Sequence, residues 1–425
     1  GAYGGQVTSN AGAPHGSAGT RSRHESVAVV WDDAFLTYNF GPTHPLSPLR
    51  MRLTMDLMEQ MGLLDLDGVQ RITPKPADDE LISTVHDPHY IEAVREASLG
   101  GPGSPPHGLG LDDNPCFRGM HEAAAWVVGG TVAAAQSVWQ GHHDHAVMLG
   151  GGLHHAMPDR AEGFCIYNDL AAAITWLLDN GAQRVAYIDV DVHHGDGVER
   201  MFWNDPRVLT ISLHESGATL FPGTGWPDDI GGPDALGTAV NCALPAETGD
   251  HGWRRALHAV VPELLRSFAP DVVVSQHGCD GHRSDPLGHM EMTVEGQTAL
   301  AADIHRWIHE FTINRWVATG GGGYSIADAV PRAWTSVAAE VLSVAVDPRT
   351  PLPTSWRDKV AQITGDPAPA TLGDGAVEAA DSLGINGAEG VGELASSHVL
   401  DPVGMAIQAT RDAVFPHHGL ATRQT

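Results

Sequence analysis

Lysine is almost missing from this chain: Lys75 and Lys359 are the only two, and Lys plus Arg total 24 against 52 Asp plus Glu. The formal charge of −28 argues against a nucleic-acid-binding surface, which needs basic stripes to neutralise phosphate. An acidic exterior favours basic or neutral ligands through steering and says nothing about the fold. Cysteine is scarce as well. Cys116, Cys165, Cys242 and Cys279 are far apart and include no CxxC pair, which fits a reduced cytosolic protein better than a disulfide scaffold. No apolar run reaches the ~18–20 residues that span a bilayer. The N-terminal "GAYGGQVTSNAGAPHGSAGTRSR" lacks the apolar core of a signal peptide. The expectation is a cytoplasmic protein with neither membrane nor nucleic acid as partner. Glycine (50) and proline (28) are plentiful but show no period, so nothing is collagen-like.

What remains is a 425-residue chain that is 42% hydrophobic, enough for one large domain or two ordinary ones. Residues 1–25 read as a polar, Gly/Ser-rich tail expected to be disordered. From residue 26 strands and helices alternate. Strand patterns are "SVAVVWDD" (26–33), "HAVMLGGGLHH" (145–155), "RVAYIDVDVHH" (184–194), "RVLTISLHE" (207–215), "DVVVSQHGCD" (271–280) and "RWVATGGGGY" (315–324). Helical patterns lie at 48–64, where Leu53, Leu57, Met61 and Leu64 recur at helical spacing, and at 79–98, 119–141, 168–181 and 251–268. The alternation predicts an α/β fold: one domain over 26–345, a doubly wound, mostly parallel sheet flanked by helices. Composition shifts after about residue 346. The extension over 346–425 contains a Gly/Ala/Asp-rich segment, 365–397, expected to be loosely ordered, and a terminal helix is expected at 401–413.

Four of the strand patterns end in His, Asp or Gly-Tyr clusters, and doubly wound sheets bind ligands beyond the C-terminal ends of their strands. In "YIDVDVHHGDG" (187–197) the two-residue period puts Asp189, Asp191 and His193 on one face and Ile188, Val190 and Val192 on the other. Burying such charge unpaired costs several kcal/mol, so a metal is one solution. An Asp-x-His pair offers the mixed oxygen and nitrogen set that suits zinc or iron. Alone, such a pair is more often a helix cap and a satisfied histidine. "GGGLHHAM" (150–157) adds His154 and His155, a ligand pair or a general base with its partner. Asp280, after a strand and a glycine, would complete three protein ligands with Asp191 and His193 and leave an open position for water. Tyr324, after four glycines, could stabilise an oxyanion.

The blocks "YNFGPTHPLSPLR" (38–50), "GGLHHA" (151–156), "GFCIYND" (163–169), "YIDVDVHHGDGVE" (187–199), "FPGTG" (221–225), "GCDGHRSDPLG" (278–288) and "GGGGY" (320–324) together resemble the zinc-dependent histone deacetylase superfamily. "YNFGPTHP" and "QHGCD" are most similar to its bacterial acetoin-utilisation branch. The resemblance covers about residues 26–345 and implies the arginase/deacetylase fold and a zinc-dependent lysine deacetylase that hydrolyses acetyl-lysine-type amides. It implies Zn2+, or Fe2+ in the cell, on Asp191, His193 and Asp280. It makes His155 the general base and then acid, with His154 helping electrostatically; Asp189 partners His154, Asp196 partners His155, and Tyr324 binds the oxyanion. Gly163, Phe164, Phe221 and Leu287 would line the acyl-lysine tunnel, with Asp113 gripping substrate at the rim and Arg50 on the acetate exit. A structural K+ is implied near Asp189, Asp191, His193, Ser212 and Leu213. Substrates consistent with this are acetylated proteins or, with the same chemistry, acetylpolyamines and other small acetyl-amines. A binuclear ureohydrolase would need bridging carboxylates that "GGLHH" and "GGGGY" do not supply. A non-catalytic acetyl-lysine binder would be expected to have lost ligands, and every one is present.

Overall fold

Short, continuously apolar runs set the architecture. The computed structural model describes residues 25–375 and 401–423; residues 1–24 of the tail expected over 1–25, and residues 376–400, lie outside the described residues, while Glu25, the last residue of that expected tail, is described and accepts from Asn314 Nδ2. The strands are β1 (Val27–Val30), β2 (Val69–Ile72), β3 (His145–Met148), β4 (Val185–Asp189), β5 (Val208–Glu215), β6 (Ala239–Leu244), β7 (Val272–Gln276) and β8 (Trp316–Thr319). Every residue of β1, β3, β4, β5, β7 and β8 is buried. Strands buried on both faces tend to read as apolar runs, as β1 does, although β5 alternates Leu209, Ile211 and Leu213 with Thr210, Ser212 and His214. All pairings are parallel, in the order β2-β1-β3-β8-β7-β4-β5-β6. β2 and β6 had no clear signal in the sequence: β2, "VQRI", is a half-exposed edge strand, and β6 carries Asn241 and Cys242.

The helices are α1 (Leu49–Gln60), α2 (Asp79–Ile82), α3 (Pro88–Ser98), α4 (Met120–Trp139), α5 (Asp169–Asp179), α6 (Asp196–Met201), α7 (Asp250–Phe268), α8 (Val294–Phe311), α9 (Val330–Val341), α10 (Thr354–Thr364) and α11 (Pro402–Val414). α3, α4 and α5 pack as one layer, and α1, α9, α8, α7 and α11 follow one another in the other. The helix expected over 79–98 is two helices. Pro88 cannot continue a preceding helix, and the Asp87 carboxylate accepts from His89 N at 2.8 Å to cap α3. Asn168, Thr293 and Asp401 cap α5, α8 and α11 in the same way.

Beyond residue 346 the chain returns to the body. Trp356 of α10 is fully buried against Leu53 and Leu57 of α1, and its indole N–H donates to the Leu53 carbonyl at 2.9 Å. Residues 366–375, the near part of the Gly/Ala/Asp-rich segment, are tied down: Leu372 is buried and Asp374 accepts from Arg332 at 2.7 Å. No helix among the described residues is long and apolar enough to cross a membrane.

Candidate metal centre and active site

β3, β8, β7 and β4 are neighbours at the middle of the sheet, so the loops leaving their C-terminal ends meet. Those loops are 149–155, 320–324, 277–280 and 190–196. Each strand is shorter than its sequence pattern. Val190 N still donates to the Gln276 carbonyl of β7 at 3.1 Å, but the Asp191 and His193 amides leave the ladder. Asp189 Oδ1 accepts from Asp191 N at 3.1 Å, and Asp191 Oδ1 accepts from His193 N at 3.0 Å. Such short side-chain-to-backbone bonds compete with the sheet and turn the chain. The expected shared strand face for Asp189, Asp191 and His193 is therefore corrected: the turn, not the two-residue period, gathers them.

Asp191, His193 and Asp280 each present a ligating atom within 4.8 Å of the others. His193 Nδ1 lies 3.1 Å from Asp191 Oδ1 and 3.0 Å from Asp280 Oδ2. The remaining carboxylate oxygens are held by amides. Gln276 Nε2 (2.7 Å) and Gly322 N (2.8 Å) donate to Asp191 Oδ2, and Val192 N donates to Asp280 Oδ1 (3.0 Å). Outer hydrogen bonds of this kind orient metal ligands. Gly322 has to be glycine for its N–H to come this close, since a Cβ there would stand 1.9 Å from Asp280 Oδ2. Burial and the neighbouring Asp191 push the Asp280 carboxyl up. Burial pulls His193 down, but Asp280 and Asp191 outweigh it and hold the imidazole at about 10. A proton held that firmly between two buried carboxylates marks a place where a small cation is favoured. The two oxygens and one nitrogen suit Zn2+ or Fe2+ with room for a further ligand.

Beside this trio, His154 Nδ1 donates to Asp189 Oδ2 (2.7 Å), which also accepts from Tyr187 Oη (2.6 Å). His155 Nδ1 donates to Asp196 Oδ1 (2.7 Å), which also accepts from Gly197 N (2.9 Å). Both Nδ1 atoms are engaged, so Nε2 is the free nitrogen of each ring. The rings are 4.1 Å apart, too close for two positive charges in a buried site. Burial pulls His154 down, but Asp189 and Asp191 prevail and hold it at about 9. Burial, and then the charge on His154, depress His155 to about 4. In the metal-free site the surroundings thus favour the charged form of His154 and the neutral form of His155.

The aromatic residues stand around this floor. The Phe221 ring is edge-on to His155 at 5.1 Å, and the Phe164 ring is edge-on to Tyr324 at 5.7 Å. Gly163 (φ +52°) lies against His155: a Cβ there would meet the imidazole at 2.5 Å. Phe164 is itself left-handed (φ +70°), and its carbonyl accepts from Tyr38 Oη at 2.7 Å. Burial and the charges of Asp280 and Asp191 push the Tyr324 phenol well above its ordinary range, so it is a hydrogen-bond donor. Half-buried Leu287 and Tyr324 are joined through Asp285, which accepts from both main-chain amides (2.9 and 2.8 Å). Asp113 is exposed; its carbonyl faces His44 Nε2 at 3.1 Å, and the His44 ring packs on Phe164. Arg50 is buried beneath, donating from Nη1 to the Gly321 (2.6 Å) and Gly323 (3.3 Å) carbonyls. Ser212 pairs with Asp189 in the β4–β5 register, with Leu213 next along β5.

The structure thus brings the trio, the histidine pair with its two aspartates, Gly163, Phe164, Phe221 and Tyr324 together, while exposed Asp113 touches this group only through its carbonyl on His44; it also adds residues that the sequence did not single out. Gln276, Tyr187 and Asp285 hold the carboxylates and the tyrosine loop. Asp169 accepts from Gly152 N (2.9 Å) and Leu153 N (2.8 Å), fixing the loop that carries the histidine pair. Gln276, Asp285 and Asp169 lie inside the quoted motifs, but a supporting amide or carboxylate has no signature until its partner is seen.

Known proteins resemble this chain in sequence and in fold. Residues 44–341 match the family model described as histone deacetylase domain. Acetoin utilization protein AcuC of Bacillus subtilis (strain 168) is 41% identical over 333 residues, 77% of this chain and 84% of that protein. Its counterpart in Staphylococcus xylosus is 36% identical over 338 residues, 79% of this chain and 87% of its own. Among solved structures, an HDAC homologue complexed with SAHA superposes with a TM-score of 0.74 at 27% identity, covering 82% of this chain and 94% of that one. An HDAC homologue from Aquifex aeolicus gives 0.72 at 28% identity, covering 79% and 88%.

Proposed function

This chain belongs to the histone deacetylase family, in the branch of the acetoin utilization proteins, and from that premise we propose that it hydrolyses acetyl-lysine side chains of proteins. The observation that carries the reading is the geometry beside the Asp191–His193–Asp280 trio: two histidine rings 4.1 Å apart, each anchored at Nδ1 by an aspartate at 2.7 Å, so that Nε2 is the free nitrogen of each. Asp191, His193 and Asp280 would hold a divalent ion, Zn2+ or Fe2+. When bound, that ion supplies a Lewis acid that polarises the amide carbonyl and makes water a stronger nucleophile.

The chain's own residues do the rest. His155 Nε2 accepts the proton of the attacking water. The Asp196 carboxylate at Nδ1 holds the tautomer and stabilises the imidazolium that forms. His155 then returns the proton to the departing lysine nitrogen. His154, anchored on Asp189, helps electrostatically by offsetting the negative charge that builds up. Tyr324 donates a hydrogen bond from its phenol to the carbonyl oxygen as that becomes an oxyanion, a contact worth ~10²–10³ in rate. Phe164 and Phe221 offer apolar faces to a thin methylene chain and exclude water from it. Gly163 keeps that wall narrow, while Leu287 and Asp113 would meet the substrate at the rim. Arg50 would receive the acetate, a role supported by its buried Nε, which has no partner among the described residues. A structural K+ would sit behind Asp189, Asp191, His193, Ser212 and Leu213. No hydrogen bond among the described residues ends on the main-chain carbonyls of Asp191 and His193, as expected of cation ligands.

The test is acetate release by metal-replete enzyme from N-ε-acetyl-lysine peptides and from N-acetylputrescine, with and without chelator. Chelator-sensitive turnover with the higher kcat/KM on peptides is expected. Preference for the diamine would move the substrate class to small acetyl-amines. Turnover that survives complete metal removal would overturn the mechanism.

A further inference from the structure

The opposite edge of the sheet, where strands begin, carries a second cluster of ligating side chains. Glu25 directly precedes β1, His145 is the first residue of β3, and His305 and His309 are one turn apart on α8. Each presents a ligating atom within 4.8 Å of the other three. His309 Nε2 is 2.8 Å from Glu25 Oε1 and 3.0 Å from His305 Nε2. His305 Nε2 is 3.4 Å, and His145 Nδ1 3.7 Å, from Glu25 Oε2.

Outer partners decide which nitrogens are free. Asn314 Nδ2 donates to Glu25 Oε1 (3.2 Å), which orients the amide so that its Oδ1 accepts from His145 Nε2 (2.9 Å). In the neutral ring His145 Nδ1 then holds a lone pair, yet it faces two acceptors, the Val341 carbonyl (3.1 Å) and Glu25. His305 Nδ1 donates to Glu340 (3.0 Å), which turns the lone pair of Nε2 toward His309 and Glu25. Lone pairs therefore converge on one point, and the far nitrogens of two rings are anchored by a carboxylate and an amide. That is how metal-bound histidines are held. Without a metal the conflict is resolved by a proton. Burial pulls His305 down, but Glu25 and Glu340 outweigh it and hold the imidazole at about 9. Burial would raise Glu25, but His305 and Ser343 keep it well below the carboxylate range.

We propose that Glu25, His145, His305 and His309 form a second, structural metal site, for a divalent transition ion of the zinc type. Three imidazoles and one carboxylate form a closed four-ligand set suited to Zn2+, Co2+ or Ni2+, and too poor in oxygen for Ca2+ or Mg2+. The ion would displace the His305 proton and pin the chain entering β1 to α8 and β3, far from the catalytic loops.

The test measures zinc per chain by mass spectrometry in the full-length protein after zinc loading and dialysis, together with the absorption of the cobalt-loaded form. The wild type is expected to hold about two ions and both His309→Ala and Asp280→Asn about one. His309→Ala should keep wild-type deacetylation and lose a tetrahedral Co2+ band that Asp280→Asn retains. His309 is half-exposed, so folding is not at risk; Glu25→Gln gives an independent check with the same expected loss. A single zinc in the wild type overturns the proposal, as does a second zinc that survives both His309→Ala and Glu25→Gln.

Discussion

Asp196→Asn tests how the base is held. Asp196 Oδ1 accepts two bonds, from His155 Nδ1 at 2.7 Å and Gly197 N at 2.9 Å. In asparagine the amide oxygen must take this place, because its NH2 cannot face two N–H donors. His155 then keeps its tautomer, and only the carboxylate charge is lost. A hydrogen bond to a charged group contributes ~1.5–3 kcal/mol and a neutral one ~0.5–1.5. The difference of ~1–2 kcal/mol predicts kcat/KM lower by ~5–30-fold, at ~1.4 kcal/mol per factor of ten. Removing a negative charge beside an imidazole lowers its pKa. His155, already depressed to about 4, should fall further, moving the acid limb of the kcat/KM profile to lower pH. The assay is acetate release from an acetyl-lysine peptide, with zinc content and Tm measured on the same sample. A loss near ~10⁴ with zinc retained would mean that the tautomer had inverted and would refute the anchoring by Gly197. A loss under ~3-fold, or an acid limb moving upward, would refute the role of Asp196.

Three further outcomes follow from the same geometry. Tyr324→Phe removes one hydroxyl and should lower kcat by ~10²–10³ with little change in KM; an unchanged kcat in metal-loaded enzyme would exclude the oxyanion role. Gly322→Ala would put a Cβ 1.9 Å from Asp280 Oδ2, so zinc affinity should fall by ~10–100-fold in a competition titration, and a variant with wild-type affinity would contradict the close packing of this loop on the ligands. In stripped protein His193 and His305, held near 10 and 9, sit above the ordinary ~6.5 of unfolded histidine. Their contribution is complete below pH ~6.5 and lost as pH rises through those values. The Tm of the metal-free form should therefore drop between pH 7 and 9 while that of the loaded form holds, and parallel profiles would count against cations replacing these protons.

The strands at β1, β3, β4, β5, β7 and β8 were legible because each carries β-branched or other apolar residues at most positions, or at alternate ones in β5, and each pattern ran into its loop without a break. Their ends were not legible. "YIDVDVHH" continues the β-branched pattern past Asp189, and only the Asp189 and Asp191 side chains capturing the next amides show where the ladder stops. Edge strand β2 was missed because an edge need bury little, and the break before α3 because the 79–98 pattern stays amphipathic through Pro88.

By itself the sequence determined which residue types the chemistry has to work with. Paired histidines, two aspartates about a histidine, a further Asp280 and a glycine-borne Tyr324 are readable as motifs because ligands and bases are chemically distinctive. Only the tertiary structure decided that these become one site. The strand order β3-β8-β7-β4 interleaves early and late segments, so loops distant in the chain end side by side. It also decided the division of labour between two identical side chains. His154 and His155 are neighbours in sequence, but Asp189 and Asp191 face one ring while the resulting charge and burial bear on the other. Local sequence cannot state that field, because the groups that create it come from separate loops.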